Sequence, residues 1–172
     1  MGCGTRDLLI RLAEVFPTVI GIEPHPETAS HAIRRFTESR VRVDERQFGA
    51  EPPYGYDLIV FVASLHHMPP RIALQDARAA LRPGGRVVIV GLARETPRDA
   101  MRSWLSFLWN SVVGLLRHPS RATEPPMRMQ APITDARESF DEIRAIAAEI
   151  LPGTRMRRRL FWRYTASWTA PR

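Results

Sequence analysis

Tyr56-Asp57-Leu58-Ile59-Val60-Phe61-Val62 is the most strand-like stretch of the 172 residues. A near-continuous apolar run flanked by turn signals fits a strand buried on both faces, so it is expected to lie centrally in a parallel sheet. Working outward, residues 71–81 read as a helix, Arg82-Pro83-Gly84-Gly85 as a tight turn, and Arg86 to Gly91 as a second apolar strand. Upstream, the loop at 49–55 follows a short strand near Val41 to Val43, a helix from Pro26 to about Ser39 and a strand over Thr18 to Glu23. Before these, Leu8, Leu9, Leu12, Val15 and Phe16 recur at helical spacing. Strand and helix alternate, which predicts an α/β layer fold with crossover helices on both faces.

Downstream the rhythm changes. Residues 99–117 are apolar on almost every side, with Trp104, Phe107, Leu108 and Trp109 among them, and a proline-rich stretch follows to Pro132. The uncharged run after Arg102 falls short of the roughly 20 residues that cross a bilayer. A substrate-side insertion or lid over 98–134, a dimer face and an interfacial helix all stay open. A last helix is expected over 135–151, and the tail TRMRRRLFWRYTASWTAP reads as an antiparallel hairpin at one sheet edge.

Length and a 44% hydrophobic content suit one domain over 1–172. A lone cysteine cannot pair within the chain, and no leader-like segment opens it, so the expected compartment is the cytoplasm. The formal charge of +7 is carried by 25 arginines and no lysine, scattered from Arg6 to Arg172. Such a distribution reads as a composition habit, and nucleic acid is not an expected partner. The densest run, Arg155 to Arg159, is read as a solvated strand edge ahead of a phosphate-binding patch.

In an open α/β sheet, ligands bind beyond the carboxyl ends of the strands. That rule selects Gly2 to Arg6, Glu23, Gln47 and Phe48, Ser64 to His67, and Gly91 onward. Glu23 stands about 20 residues beyond the Gly2-Cys3-Gly4 turn, the spacing at which a carboxylate accepts ribose hydroxyls. The two glycines allow close backbone approach and leave amide donors before the Leu8 helix. A dinucleotide fingerprint would need a third glycine where Asp7 stands, so a ligand with one small carboxylate suits the turn better. The competing reading of Glu23 is a cap for the helix at Pro26.

GCGT at Gly2 to Thr5, the acid in VIGIEPHPE, the stretch YDLIVFVASLHHM and RAALRPGGRVVIV at Arg78 to Val90 together resemble the class I S-adenosylmethionine-dependent methyltransferases, especially the ubiquinone and menaquinone methylases. LFWRYTASWT is similar to tails in that group. The resemblance implies a Rossmann-like, doubly wound, mostly parallel sheet of seven strands with a reversed last strand. It further implies S-adenosyl-L-methionine as cofactor, with Gly2, Cys3 and Gly4 near its methionine part, Glu23 on the ribose, Gln47 or Phe48 as adenine candidates, and Ser64, Leu65 and His66 beside the sulfonium. Members of the family carry a strand immediately before the glycine turn. None stands here, so Met1 is expected to be an internal methionine of a longer frame, the fold being truncated at its N-terminus; a decayed relative is the competing reading. Without that strand, the sheet must span a gap of roughly 9–10 Å or leave two edges open.

The implied reaction is methyl transfer to a small, lipophilic acceptor by in-line displacement on O, C or N. His66 or His67 is the candidate base, at most one of them facing the pocket because neighbours on a strand exit point apart. Packing or capping near Pro69 is the bland alternative for either. No metal site is expected. A noncatalytic interaction module, an RNA-directed methylase, a homodimer and peripheral membrane contact remain alternatives.

Overall fold

The computed structural model describes residues 7–36, 40–94, 96, 136–159 and 163–172. Its elements run α1 (Asp7–Val15), β1 (Val19–Ile22), α2 (Pro26–Arg35), β2 (Val41–Asp44), β3 (Tyr56–Val62), α3 (Pro70–Ala80), β4 (Leu81–Leu92), α4 (Phe140–Ile150), β5 (Arg155–Arg158) and β6 (Arg163–Thr169). A single 3-10 turn, Leu65–His67, follows β3. The turn at 2–4 and the stretch from 97 to 135 lie outside the described residues.

The α/β expectation holds, with one departure in the sheet. Six strands among the described residues form two sheets, β1-β2 and β3-β4-β6-β5, instead of one continuous sheet. Pairing is parallel within β1-β2 and β3-β4, and β6 runs antiparallel to both β4 and β5. The reversed strand and the C-terminal hairpin are therefore as expected. β3, by contrast, is not central: its one strand partner among the described residues is β4. It is not buried on both faces either, since Ile59 and Phe61 are buried while Leu58 and Val60 are half-buried and Val62 is exposed. The residue-by-residue alternation is that of a strand with one covered face.

Two cores match the two sheets. Leu9, Val19, Ala32, Phe36, Val41 and Val43 pack α1 and α2 on β1-β2. The larger core lies between the four-stranded sheet and the pair α3 and α4. On α3 the inward residues Ala73, Ala77 and Ala80 are small, which lets the helix lie close to the strands, while Leu74 is fully buried. The Arg82–Gly85 turn is accommodated inside β4: Tyr56 pairs with Leu81 and Leu58 with Arg86, so the residues between loop out. Gly84, at φ +76, supplies the left-handed step.

Element ends shift modestly. α2 stops at Arg35, where Phe36 leaves helical geometry, and not near 39. The last helix begins at Phe140 because Ser139 and Glu142 form a reciprocal capping box there.

Candidate functional site

Four strand carboxyl ends, those of β1 to β4, can be followed residue by residue. β1 ends in Glu23, which is 1% exposed. Its Oε1 accepts the backbone N–H of His25, 3.1 Å away, the residue that caps α2. The bond fixes the carboxylate at the strand exit, beside the start of α2, as the capping alternative expects.

Beyond β2 the chain is held by charge. Asp44 accepts from Arg42 at 2.6 and 2.9 Å and from Arg46 at 3.4 Å. Arg46 also grips both oxygens of Glu51, at 2.5 and 3.0 Å, and Glu51 accepts the Tyr56 hydroxyl at 2.6 Å. Burial works against the Glu51 carboxylate, yet hydrogen bonds from Arg46 and Tyr56 outweigh it and hold its pKa below the usual carboxylate value. The bonds to Arg42 do the same for Asp44. Running from β2 through Arg46 and Glu51 to Tyr56 on β3, this chain of bonds ties one sheet to the other. Gln47 is left exposed, and Phe48 packs edge-on against Phe61 of β3 at 5.1 Å between centroids. No sequence signal singled out Glu51; the cue available was an acid five residues after Arg46 and five before Tyr56 in a proline-rich loop.

β3 leaves the sheet through Ala63, whose φ of +48 is uncommon for a residue with a Cβ. That left-handed step turns the chain into the 3-10 turn. Ser64 is 7% exposed and its carbonyl accepts the His67 N–H at 3.1 Å. Leu65 is 1% exposed and its side chain belongs to the large core, so it offers a ligand only its backbone. His66 and His67 do not point apart as neighbours on a strand would: their rings stack 4.0 Å apart with a 42° tilt, because a 3-10 turn advances less per residue and fans side chains differently. His66 Nδ1 and His67 Nε2 are buried without a hydrogen-bond partner. Burial lowers the pKa of both; that of His67 falls to about 4, with His66 adding to the depression and the Glu23 carboxylate opposing it. β1 and β3 belong to separate sheets.

β4 ends at Leu92, and Arg94 continues it through a bond from its N–H to Glu138 O. Gly91 is required by its neighbour, since a Cβ there would overlap the Tyr164 ring.

Ser64, His66 and His67 stand together at the exit of β3 and Glu23 at the exit of β1, with Phe48 packed against β3 and Gln47 open to solvent. Gly2, Cys3 and Gly4 lie outside the described residues. No group of three or more His, Cys, Asp or Glu able to hold a metal occurs among the described residues. Two orphaned ring nitrogens and a buried carboxylate at the carboxyl ends fit a polar ligand that brings its own hydrogen-bonding groups.

Comparisons with known proteins agree with this reading of the fold. The chain is 29% identical to an uncharacterized methyltransferase of Mycobacterium tuberculosis H37Rv, over 99% of this chain and 85% of that protein, and equally so to one of Mycobacterium bovis. Among solved structures it resembles an S-adenosylmethionine-dependent methyltransferase of Methanosarcina mazei (TM-score 0.63, 13% identity, 99% of this chain and 90% of that one). It also resembles a geranyl diphosphate methyltransferase in complex with S-adenosylmethionine (TM-score 0.62, 14% identity, 99% and 75%). A family model described as a methyltransferase domain matches residues 1–131, well over half of the chain, and the protein accordingly belongs to that methyltransferase-domain family.

Proposed function

We propose that this chain binds S-adenosyl-L-methionine at the carboxyl ends of β1 and β3 and transfers its methyl group to a small, lipophilic acceptor. The observations that carry the reading are the buried Glu23 carboxylate at the β1 exit and the orphaned ring nitrogens of the His66–His67 turn at the β3 exit, in a methyltransferase-family chain. When bound, the cofactor supplies a methyl group on a cationic sulfur, open to in-line displacement. Glu23, fixed by the His25 amide, accepts the two ribose hydroxyls. Ser64 and the backbone of Leu65 border the sulfonium, and Phe48 or Gln47 meets the adenine. His66 and His67 are both neutral at physiological pH, as a proton acceptor must be. Their depressed basicity matches an acidic hydroxyl, phenolic or enolic, better than an aliphatic alcohol. The apolar residues Trp104, Phe107, Leu108 and Trp109, which follow β4 in sequence, support a greasy acceptor.

A noncatalytic interaction module is the second reading, favoured by one observation: β1 and β3 each have strand partners on one side only among the described residues. Incubation with methyl-labelled S-adenosylmethionine and a mixed phenolic and quinol acceptor pool separates the two. Enzyme action puts label in the organic-extractable fraction, and His66→Ala lowers its rate by about 10²–10⁴ if a proton is removed in the step. Cofactor binding without transfer to any acceptor favours the module.

A further inference from the structure

The four-stranded sheet has two unlike faces. On one, Ile59, Phe61, Val87, Ile89, Tyr164 and Trp168 are buried beneath α3 and α4. On the other, the register gathers Arg86 of β4, Arg163 of β6, and Arg155, Arg157 and Arg159 of β5 and its extension, all exposed. Ser167 stands opposite Arg155 and Thr165 opposite Arg157. Successive arginines on β5 are about 7 Å apart, and the three strands span about 10 Å. No Asp or Glu occurs in β4, β5 or β6, and among the described residues none of the five guanidinium groups has a carboxylate partner. Arg158 is the internal contrast. Its side chain turns to the covered face, pairs with Asp141 at 3.0 Å and lies 4.4 Å above the Phe140 ring. The strand edge expected from sequence is indeed solvated; the structure adds that its outward arginines converge with two others. Arg86, Arg155, Ser167 and Thr169 also line one concavity of about 570 Å³.

We propose that this arginine-bearing sheet face docks the protein on an anionic phospholipid surface. Guanidinium groups are permanently charged and pair bidentately with phosphate, and hydroxyls between the strands add donors. The same face continues across β3 and β4 as Val60, Val62, Val88 and Val90, uncharged and half-buried or exposed. Arginines beside an apolar patch match the headgroup layer and the upper acyl carbons of a bilayer. A nucleic acid is the weaker match, because the β6 aromatics Tyr164 and Trp168 both lie on the covered side, where they cannot stack on bases. The inference is independent of the methyl-transfer reading.

Flotation of the whole chain with vesicles of phosphatidylcholine alone, or with about a third phosphatidylglycerol, tests it. The protein should float with the anionic vesicles and not with the neutral ones. Replacing Arg155, Arg157 and Arg159 by Gln should weaken binding by roughly fivefold per arginine, about a hundredfold together. The pair Arg86→Gln and Arg163→Gln on the inner strands, which leaves the edge strand untouched, should weaken it by more than tenfold. A control of equal charge loss, Arg11→Gln, Arg71→Gln and Arg82→Gln, should bind within a few-fold of the parent. No flotation with anionic vesicles, an equal loss in the control, or displacement of the vesicles by poly(U) at matched phosphate would each overturn the proposal.

Discussion

The His66–His67 turn concentrates what is unusual at the residue scale. Two imidazoles stacked at 4.0 Å, each with a buried and unpartnered nitrogen, cannot both carry a proton without repulsion and loss of hydration. Because the folded pKa of His67 is about 4 against 6.5 for a free histidine, the unfolded chain takes up protons between those values that the folded turn refuses. The turn's contribution is therefore intact above pH 6.5 and is lost as the pH falls toward 4. Urea midpoints measured across that window should fall with pH in the parent, and the slope should flatten in a His66→Asn/His67→Asn variant. Imidazole proton shifts should likewise show no titration of His67 above about pH 5. Gly91 makes a second residue-scale case, for a methyl there would enter the Tyr164 ring. Gly91→Ala should lower unfolding free energy by about 1–3 kcal/mol in urea denaturation, the usual size for overpacking. Sequence placed Glu23 and both histidines at strand exits by simple periodicity. It gave no sign that the histidines would stack, since Ala63 carries nothing that announces a positive φ.

Among the elements, those with strong period were legible and those governed by pairing partners were not. Tyr56–Val62 has the limits its apolar run suggests, but how many neighbours a strand has depends on other segments, and β3 turned out to have one covered face. The onset of α4 was misplaced for a local reason. Residues 135–139 carry helix-compatible side chains, yet the Ser139 side chain accepts from the Glu142 N–H while the Glu142 side chain accepts from the Ser139 N–H, fixing the start at Phe140. Ser139→Ala should cost about 1 kcal/mol in chemical denaturation, and Ser139→Asp should recover most of it. By contrast, the exposed Arg71–Glu149 pair that links α3 to α4 contributes little, because solvent screens it. What joins those helices is the buried set around Leu74, Ile143 and Ala147; Leu74→Ala should cost about 2–5 kcal/mol in the same denaturation assay.

For the molecule as a whole, the two sheets and two cores of the described residues are joined by the Asp44–Arg46–Glu51–Tyr56 chain. The order of elements was readable from hydrophobic period, because crossover helices alternate with strands whatever the details of packing. The division of the described strands into two sheets depends on packing that no local pattern encodes. The loop network was hidden for the same reason: Glu51 acquires its partners only once β2 and β3 stand side by side. The proposed site lies at the carboxyl ends of β1 and β3. Calorimetric titration with S-adenosylhomocysteine, comparing the parent with Glu23→Gln, which keeps the acceptor for the His25 amide while removing the charge, reads that place directly. The parent should bind one equivalent, and the variant should bind about 10–100-fold more weakly at an unchanged melting temperature. Absence of saturable heat in the parent, or equal affinity in the variant, would contradict the site described.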